Sequence, residues 1–328
     1  MASLVRNDTN KNNEQIIPKL FKPNNKAIKN HKNGDDNNIN NTFSILSYNI
    51  LLPNSIDGWW TFKNYCPITT SNKNNDASRA TTTTSWQARK ILLKNKIFSE
   101  NPQIICMQEA SDVSYLTDFD FLINDNKWGF VIHDKGKNRM HPITFYRNDC
   151  FKIINGKSFL KDQTIITPFQ TVSSDDESKI FWVINCHLKS GTYAADRRLR
   201  QIHEAMETIR KKSQTLFCNK GEKKNKKNEM QNPSTTTLLP PRVIIAGDFN
   251  STSNINVGTG RYLLNGIVEK GFKEYGKSIT SKDKVNYCGV FHDAYALAYK
   301  QNQQQHSSSS PPTLIAPSLI PRMEKVIV

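Results

Sequence analysis

The sequence predicts a layered α/β fold, and three observations predict it. Short, fully apolar runs such as Ile104-Ile-Cys-Met-Gln108 have the pattern of strands covered on both faces. Strand candidates of this kind are interspersed with helical patterns along the chain. A long amphipathic stretch, about Ala194 to Lys212, lies between two of them. Its Leu199, Ile202, Met206 and Ile209 recur at helical spacing, with Arg197, Arg198, Arg200, Arg210 and Lys211 elsewhere around the axis.

Taken in order, residues 1–41 hold twelve Asn and few large apolar groups. Such a tail buries too little surface to offset its ordering entropy and is expected to be disordered. Phe43–Asn49 partly alternates and reads as a strand. A long loop from Leu52 to Thr84 carries Trp59, Trp60, Phe62 and Tyr65. Ser85 is placed to cap a helix running to about Ser99, with Ala88, Ile91, Leu92 and Phe98 near one face, and Pro102 follows its end. Ser111 is the expected start of a second helix. Further strand candidates are Trp128–His133, Ile143–Arg147, Ile180–His187 and Val243–Asp248. Residues 218–241 are a hydrophilic, low-complexity insertion, and 300–328 read as a low-complexity tail. The domain is therefore expected over 42–299, with no internal repeat.

Lys and Arg outnumber Asp and Glu by 45 to 29, a net charge of +16, which favours polyanionic partners. The 1–41 tail and the 218–241 insertion carry +3 each, so the body keeps +10. No two of the six cysteines lie closer than 32 positions, which excludes zinc-type spacing. Cys106 and Cys186 sit in apolar runs and read as small buried hydrophobes. The sequence shows no secretory core and no membrane-length apolar run. An intracellular protein, in cytoplasm or nucleus, with reduced thiols is expected.

Four strand candidates end in polar groups that a core does not use. Asn49 closes the first, Gln108-Glu109 the second, His187 the third, and Asp248-Phe249-Asn250 follows the fourth. Ends of neighbouring strands converge on one rim of a sheet, where α/β proteins place their sites. Carboxylate and amide oxygens suit a hard divalent cation, Mg²⁺ or Mn²⁺. A carboxylate can orient or deprotonate water, and a protonated histidine can neutralise phosphate charge. The chemistry this set fits is attack of a metal-ordered water on a phosphate ester. Singly, each residue has an ordinary reading as a cap, turn or solvated charge; the joint pattern is what carries the expectation.

The segments Ser47-Tyr48-Asn49-Ile50-Leu51, Cys106-Met107-Gln108-Glu109, Asn185-Cys186-His187-Leu188-Lys189-Ser190 and Ala246-Gly247-Asp248-Phe249-Asn250-Ser251 resemble the successive motifs of the endonuclease/exonuclease/phosphatase superfamily. Ser85-Trp86-Gln87-Ala88-Arg89 and Arg200-Gln201 are similar to features of its nocturnin and deadenylase branch. The resemblance covers about Phe43 to Tyr299. It implies a four-layer α/β sandwich of two mixed sheets flanked by helices. It also implies roles: Glu109 and Asn49 at the metal, His187 on the scissile phosphate, Asp248 on the attacking water, Asn250 aligning water and phosphate, and Arg89 and Arg200 binding substrate; Tyr146 either leans on the phosphate or, equally, packs as an ordinary strand aromatic.

No Asp-His dipeptide occurs in the chain, so the superfamily's closing Ser-Asp-His motif is absent. A truncated chain lacking its last strands, or a pseudoenzyme, is the corresponding expectation. The leading functional reading is a Mg²⁺-dependent phosphoesterase acting on RNA from the 3′ end. The alternatives are a catalytically impaired nucleic-acid binder of the same fold, and a phosphatase for a nucleotide, inositol phosphate or lipid headgroup.

Overall fold

The computed structural model describes residues 42–53, 86–134, 140–173, 180–218, 241–252, 254–294, 296–297 and 325–327. The chain divides into two units, Met1–Thr42 and Phe43–Val328, and all the elements below belong to the second. The 1–41 tail, the aromatic loop with Trp59 and Tyr65, the Ser85 cap and most of the 218–241 insertion lie outside the described residues.

The first half of the unit runs β1 (Ile45–Asn49), α1 (Trp86–Glu100), β2 (Ile104–Ser111), α2 (Tyr115–Asp118), α3 (Asp120–Ile123), β3 (Trp128–Ile132) and β4 (Met140–Arg147). Its strands form a sheet in the order β1-β2-β4-β3, with β1 parallel to β2 and the other pairs antiparallel. The second half runs β5 (Phe151–Ile153), β6 (Phe159–Lys161), β7 (Thr164–Thr171), β8 (Phe181–His187), α4 (Ala195–Cys218), β9 (Arg242–Asp248), α5 (Gly258–Leu264), β10 (Ile267–Val268), β11 (Lys273–Glu274), β12 (Lys277–Ser278), β13 (Lys284–Val285) and β14 (Lys325–Ile327). Here the order is β14-β9-β8-β7-β5, with β6 also on β7, and β8 and β9 are parallel. β10–β13 and β11–β12 are two small separate ribbons.

Period-two alternation along the strands builds the layers. In β2, Ile105 and Met107 pack outward with Trp86, Leu93 and Ile97 of α1, while Ile104 and Cys106 point inward. In β8, Trp182, Ile184 and Cys186 pack outward with Leu199, Ile202, Met206 and Ile209 of α4, while Phe181 and Val183 point inward. The inward residues of both sheets share one core, so the order is helices, sheet, sheet, helices: the expected four-layer α/β sandwich. Cys106, Cys150, Cys186 and Cys288 carry free thiols. Among the described residues no helix is long and apolar enough to cross a membrane.

The structure corrects several local expectations. α1 buries Trp86, Leu93 and Ile97, whereas Ile91, Leu92 and Phe98, expected on the core face, are exposed. The helix is rotated because Trp86, Arg89, Leu93 and Ile97 share a face, and Arg89 bonds the Ile50 and Leu51 carbonyls from it. Ser111 ends β2 instead of starting a helix. β7 gave no sequence signal, because Thr, Gln and Pro168 interrupt it. Yet it is almost wholly buried, between β8 on one flank and β5 and β6 on the other. On the second flank β6 pairs 164–166 and β5 pairs 169–171. Thr167 and Pro168 face the gap between them, so a residue with no N–H sits where that flank asks for none. Lys325–Ile327, within the stretch read as a tail, forms β14 on the open edge of β9.

Candidate active site

Two parallel pairs, one in each sheet, end at the same rim. In the first sheet Asn49 is level with Gln108; in the second His187 is level with Asp248. Alternation turns Asn49, His187 and Asp248 toward the inter-sheet space, on the parity of Ile45, Val183 and Ala246. Glu109 has the opposite parity, and a β-bulge brings it in. Met107 pairs with Ile143 and Ala110 with His141, so Gln108 and Glu109 together oppose Pro142. Pro142 has no N–H to give the ladder at that point. Glu109 takes φ +65°, a conformation unusual for a residue with a Cβ.

One amide joins the two sheets. Asn49 Nδ2 donates to Glu109 Oε1 at 3.0 Å and to Asp248 Oδ2 at 3.0 Å. His187 Nε2 lies 3.8 Å from Glu109 Oε1. The remaining acceptors are used to hold the group in place. Glu109 Oε2 accepts the Leu52 N–H at 3.2 Å, Asn49 Oδ1 accepts Leu51 N–H at 2.9 Å, and Asp248 Oδ1 accepts Asn250 N–H at 2.9 Å. Asn250 Nδ2 donates to Leu188 O at 2.9 Å. Leu51 and Asn250 also adopt positive φ, at +54° and +45°. Backbone strain of this kind collects where surrounding structure over-determines a site. Gly247 is required beside it: at φ +143°, a Cβ would come within 2.0 Å of Cys186 O.

A buried layer below this rim fixes one sheet against the other. Gln108 Nε2 donates to Asn185 Oδ1 at 2.8 Å, and Asn185 Nδ2 donates to Ile143 O at 2.9 Å and Thr144 Oγ1 at 3.1 Å. Sequence reading missed Asn185 as a structural residue; an amide inside Phe-Trp-Val-Ile-Asn-Cys was the available signal. It also missed Arg198, and it named Gln201 only within the Arg200-Gln201 resemblance, without a role. Arg198 donates to Lys189 O and Gly191 O, and Gln201 accepts Lys189 N–H, so both hold the loop after His187. Their i, i+3 spacing on α4 was the signal.

Of the eight residues expected at the site, Asn49, Glu109, His187, Asp248 and Asn250 gather in this cluster. Arg89 is one layer back: it donates to the Ile50 and Leu51 carbonyls and so shapes the turn after β1. Arg200 is exposed on α4, among the cations that act on Lys284. Burial, then Lys282 and Arg200, lower that ammonium below its ordinary range. Of the two readings of Tyr146, the structure takes packing over phosphate contact. It pairs with Ile104, five residues from Glu109 and about 17 Å away along β2. Its ring packs on Phe169 at 5.2 Å, and burial raises its phenol above the ordinary range. β4 is antiparallel to β2, so its N-terminal end, at Met140 and His141, meets the rim.

The chain matches a crystal structure of ANGEL2, a 2′,3′-cyclic phosphatase, with TM-score 0.57 and 13% identity over 87% of this chain and 82% of that one. It has the endonuclease/exonuclease/phosphatase fold. The ANGEL2 complex with adenosine-2′,3′-vanadate matches with the same score and identity, over 83% of that chain. The human nocturnin catalytic domain aligns at TM-score 0.44 and 16% identity, over 74% of this chain and 75% of its own. No protein-family model and no curated protein sequence matches the chain.

The donor set at the rim of this fold consists of carboxylate, amide and imidazole groups. Among the described residues no three His, Cys, Asp or Glu side chains converge as a metal cage. Glu109 and Asp248 instead lie either side of one amide nitrogen. Mg²⁺ is held by one or two carboxylates and keeps most of its waters, so these residues fit it and do not fit zinc.

Proposed function

We propose that the protein is a Mg²⁺- or Mn²⁺-dependent phosphoesterase that acts on RNA at or near its 3′ end. The observation that carries this reading is the single Asn49 amide drawn between Glu109 and Asp248, with His187 3.8 Å from the same Glu109 oxygen. Two acids and an imidazole from two different sheets have no packing reason to meet there. A structural core would avoid bringing the two carboxylates together.

Glu109, with Asn49 beside it, would hold the metal, which supplies a Lewis acid that draws charge off the ester oxygen. Asp248 is the group for the attacking water. The Asn250 N–H and the Asn49 amide fix both its oxygens, so it can aim that water without reorganising. His187 presents Nε2 to the phosphoryl oxygen. Asn250 contributes through the backbone turn that its Leu188 bond closes. The net charge of +16 supports a polyanionic substrate. The 2′,3′-cyclic phosphate named for the ANGEL2 structure is one end group to test.

Purified full-length chain with Mg²⁺ is expected to release nucleotide or open the terminal ring on oligoadenylates ending in a 3′-hydroxyl or a 2′,3′-cyclic phosphate. Asp248→Ala and EDTA should each lower the rate at least about 100-fold. Turnover no greater than that of Asp248→Ala on every ester would refute hydrolysis. Salt-sensitive binding without turnover would favour the nucleic-acid binder instead.

A further inference from the structure

A buried ion pair ties the loop after His187 to a hairpin far along the chain. Arg198 is 3% exposed. It donates to Lys189 O at 3.2 Å, Gly191 O at 2.7 Å and Glu274 Oε1 at 3.2 Å. The other Glu274 oxygen accepts the Gly258 N–H at 2.7 Å. Ion pairs this deep contribute little net stability once desolvation is counted, but they hold geometry when their other bonds are made.

What this pair holds is an aromatic, cationic surface. The β11–β12 hairpin turns through Tyr275 and Gly276 at φ +52° and +78°, the pattern of a type I′ turn. Asn, Asp or Gly normally takes the first of these positions, so a Tyr there, 60% exposed, runs against local preference. The next strand residue, Lys277, places Nζ 4.9 Å from the ring centroid of Tyr193. Tyr193 is 74% exposed and follows His187 by six residues. Scattered exposed tyrosines need no explanation. This one is clasped by a cation from a hairpin that Arg198 bolts to the same loop.

We propose that Tyr193 and Lys277 form a stacking platform for a nucleobase beside the hydrolytic rim, with Arg198 and Glu274 as its positioning pair. The proposal rests on the phosphoesterase reading and narrows the substrate to nucleotides and single-stranded nucleic acid. The ammonium covers the ring from one side, and a base stacks on the solvent side whatever its identity. Lys277 also meets the phosphate that accompanies that base. Sugar and lipid phosphates offer no π face.

Binding is measured by fluorescence anisotropy on the full chain in EDTA, so that hydrolysis does not intervene. The probes are a labelled oligoadenylate and an abasic ribose-phosphate oligomer of equal length. Tyr193→Ala should weaken the oligoadenylate by roughly 5- to 100-fold and leave the abasic oligomer within about twofold, while Tyr193→Phe restores binding. Glu274→Gln, checked for folding by circular dichroism, should shrink the difference between the two probes. Equal losses on both probes, no loss, or no preference of the wild-type chain for the base-bearing probe overturns the platform. Failure of the hydrolytic reading is seen separately, as turnover equal to that of Asp248→Ala, and leaves this binding result standing.

Discussion

The space between the two sheets has two ends, held by opposite means. At one end Phe43, Phe151, Phe169 and Phe181 pack ring on ring, with centroids 4.9–5.9 Å apart. At the other end, Asn49, Glu109, His187 and Asp248 meet through a few directed contacts. β8 belongs to both, beginning at Phe181 and ending at His187. The aromatic end is redundant, because each ring touches several others and stabilises by area. The polar end is not redundant: one Asn49 amide serves two carboxylates. The lesson is that this fold places redundant packing where it is dry and single, directed contacts where it is polar.

The sharpest way to break that division is at the aromatic end. Phe169→Ala should cost about 3–5 kcal/mol in denaturant unfolding, with hydrolysis per folded molecule unchanged. A loss of activity without loss of stability would contradict the division. At the polar end the proposed metal is the lever. Mg²⁺ at a hundredfold its dissociation constant should stabilise the chain by about 2.7 kcal/mol, read as a rise in Tm, and Glu109→Gln should abolish the rise. An equal rise in the variant would put the ion elsewhere.

Between the two ends, Asn185→Leu leaves the buried Gln108 amide only the Cys106 carbonyl, removes the donor to Ile143 O and Thr144 Oγ1, and should cost about 1–3 kcal/mol together with activity. The smallest effect lies outside both ends. His203 bonds the Tyr262 hydroxyl at 2.9 Å. Burial, then the Lys284 charge, holds its imidazole below the ordinary 6.5. The unfolded chain therefore takes up the proton first, and stability is lost as pH falls through 6.5 toward the folded value. His203→Gln should flatten that part of the stability–pH curve relative to wild type. An unchanged curve would remove His203 as its cause.

Much of the fold was legible because burial writes itself into period-two and period-3.6 patterns. Ile104–Met107 and Phe181–Cys186 announce strands covered on both faces, and Leu199, Ile202, Met206 and Ile209 announce the buried stripe of α4. α1 misled because its most regular apolar face, with Ile91, Leu92 and Phe98, is the exposed one. A tertiary bond from Arg89 chose the other face. β7 stayed hidden because a strand hydrogen-bonded on both flanks can bury Thr and Gln. Tyr146 stayed open between phosphate contact and packing because strand content does not state strand direction, and direction decides which end meets the rim.

Sequence alone picked out the five polar residues that gather at the rim, and that most of them close a strand, since polar groups after apolar runs are local facts. Alternation even determined the facing of Asn49, His187 and Asp248. It would have sent Glu109 to the helix side. That Glu109 reaches the rim was decided by tertiary structure, through a bulge opposite Pro142 on a strand more than thirty residues away. A β-bulge is a property of two strands in register, and neither strand encodes it by itself.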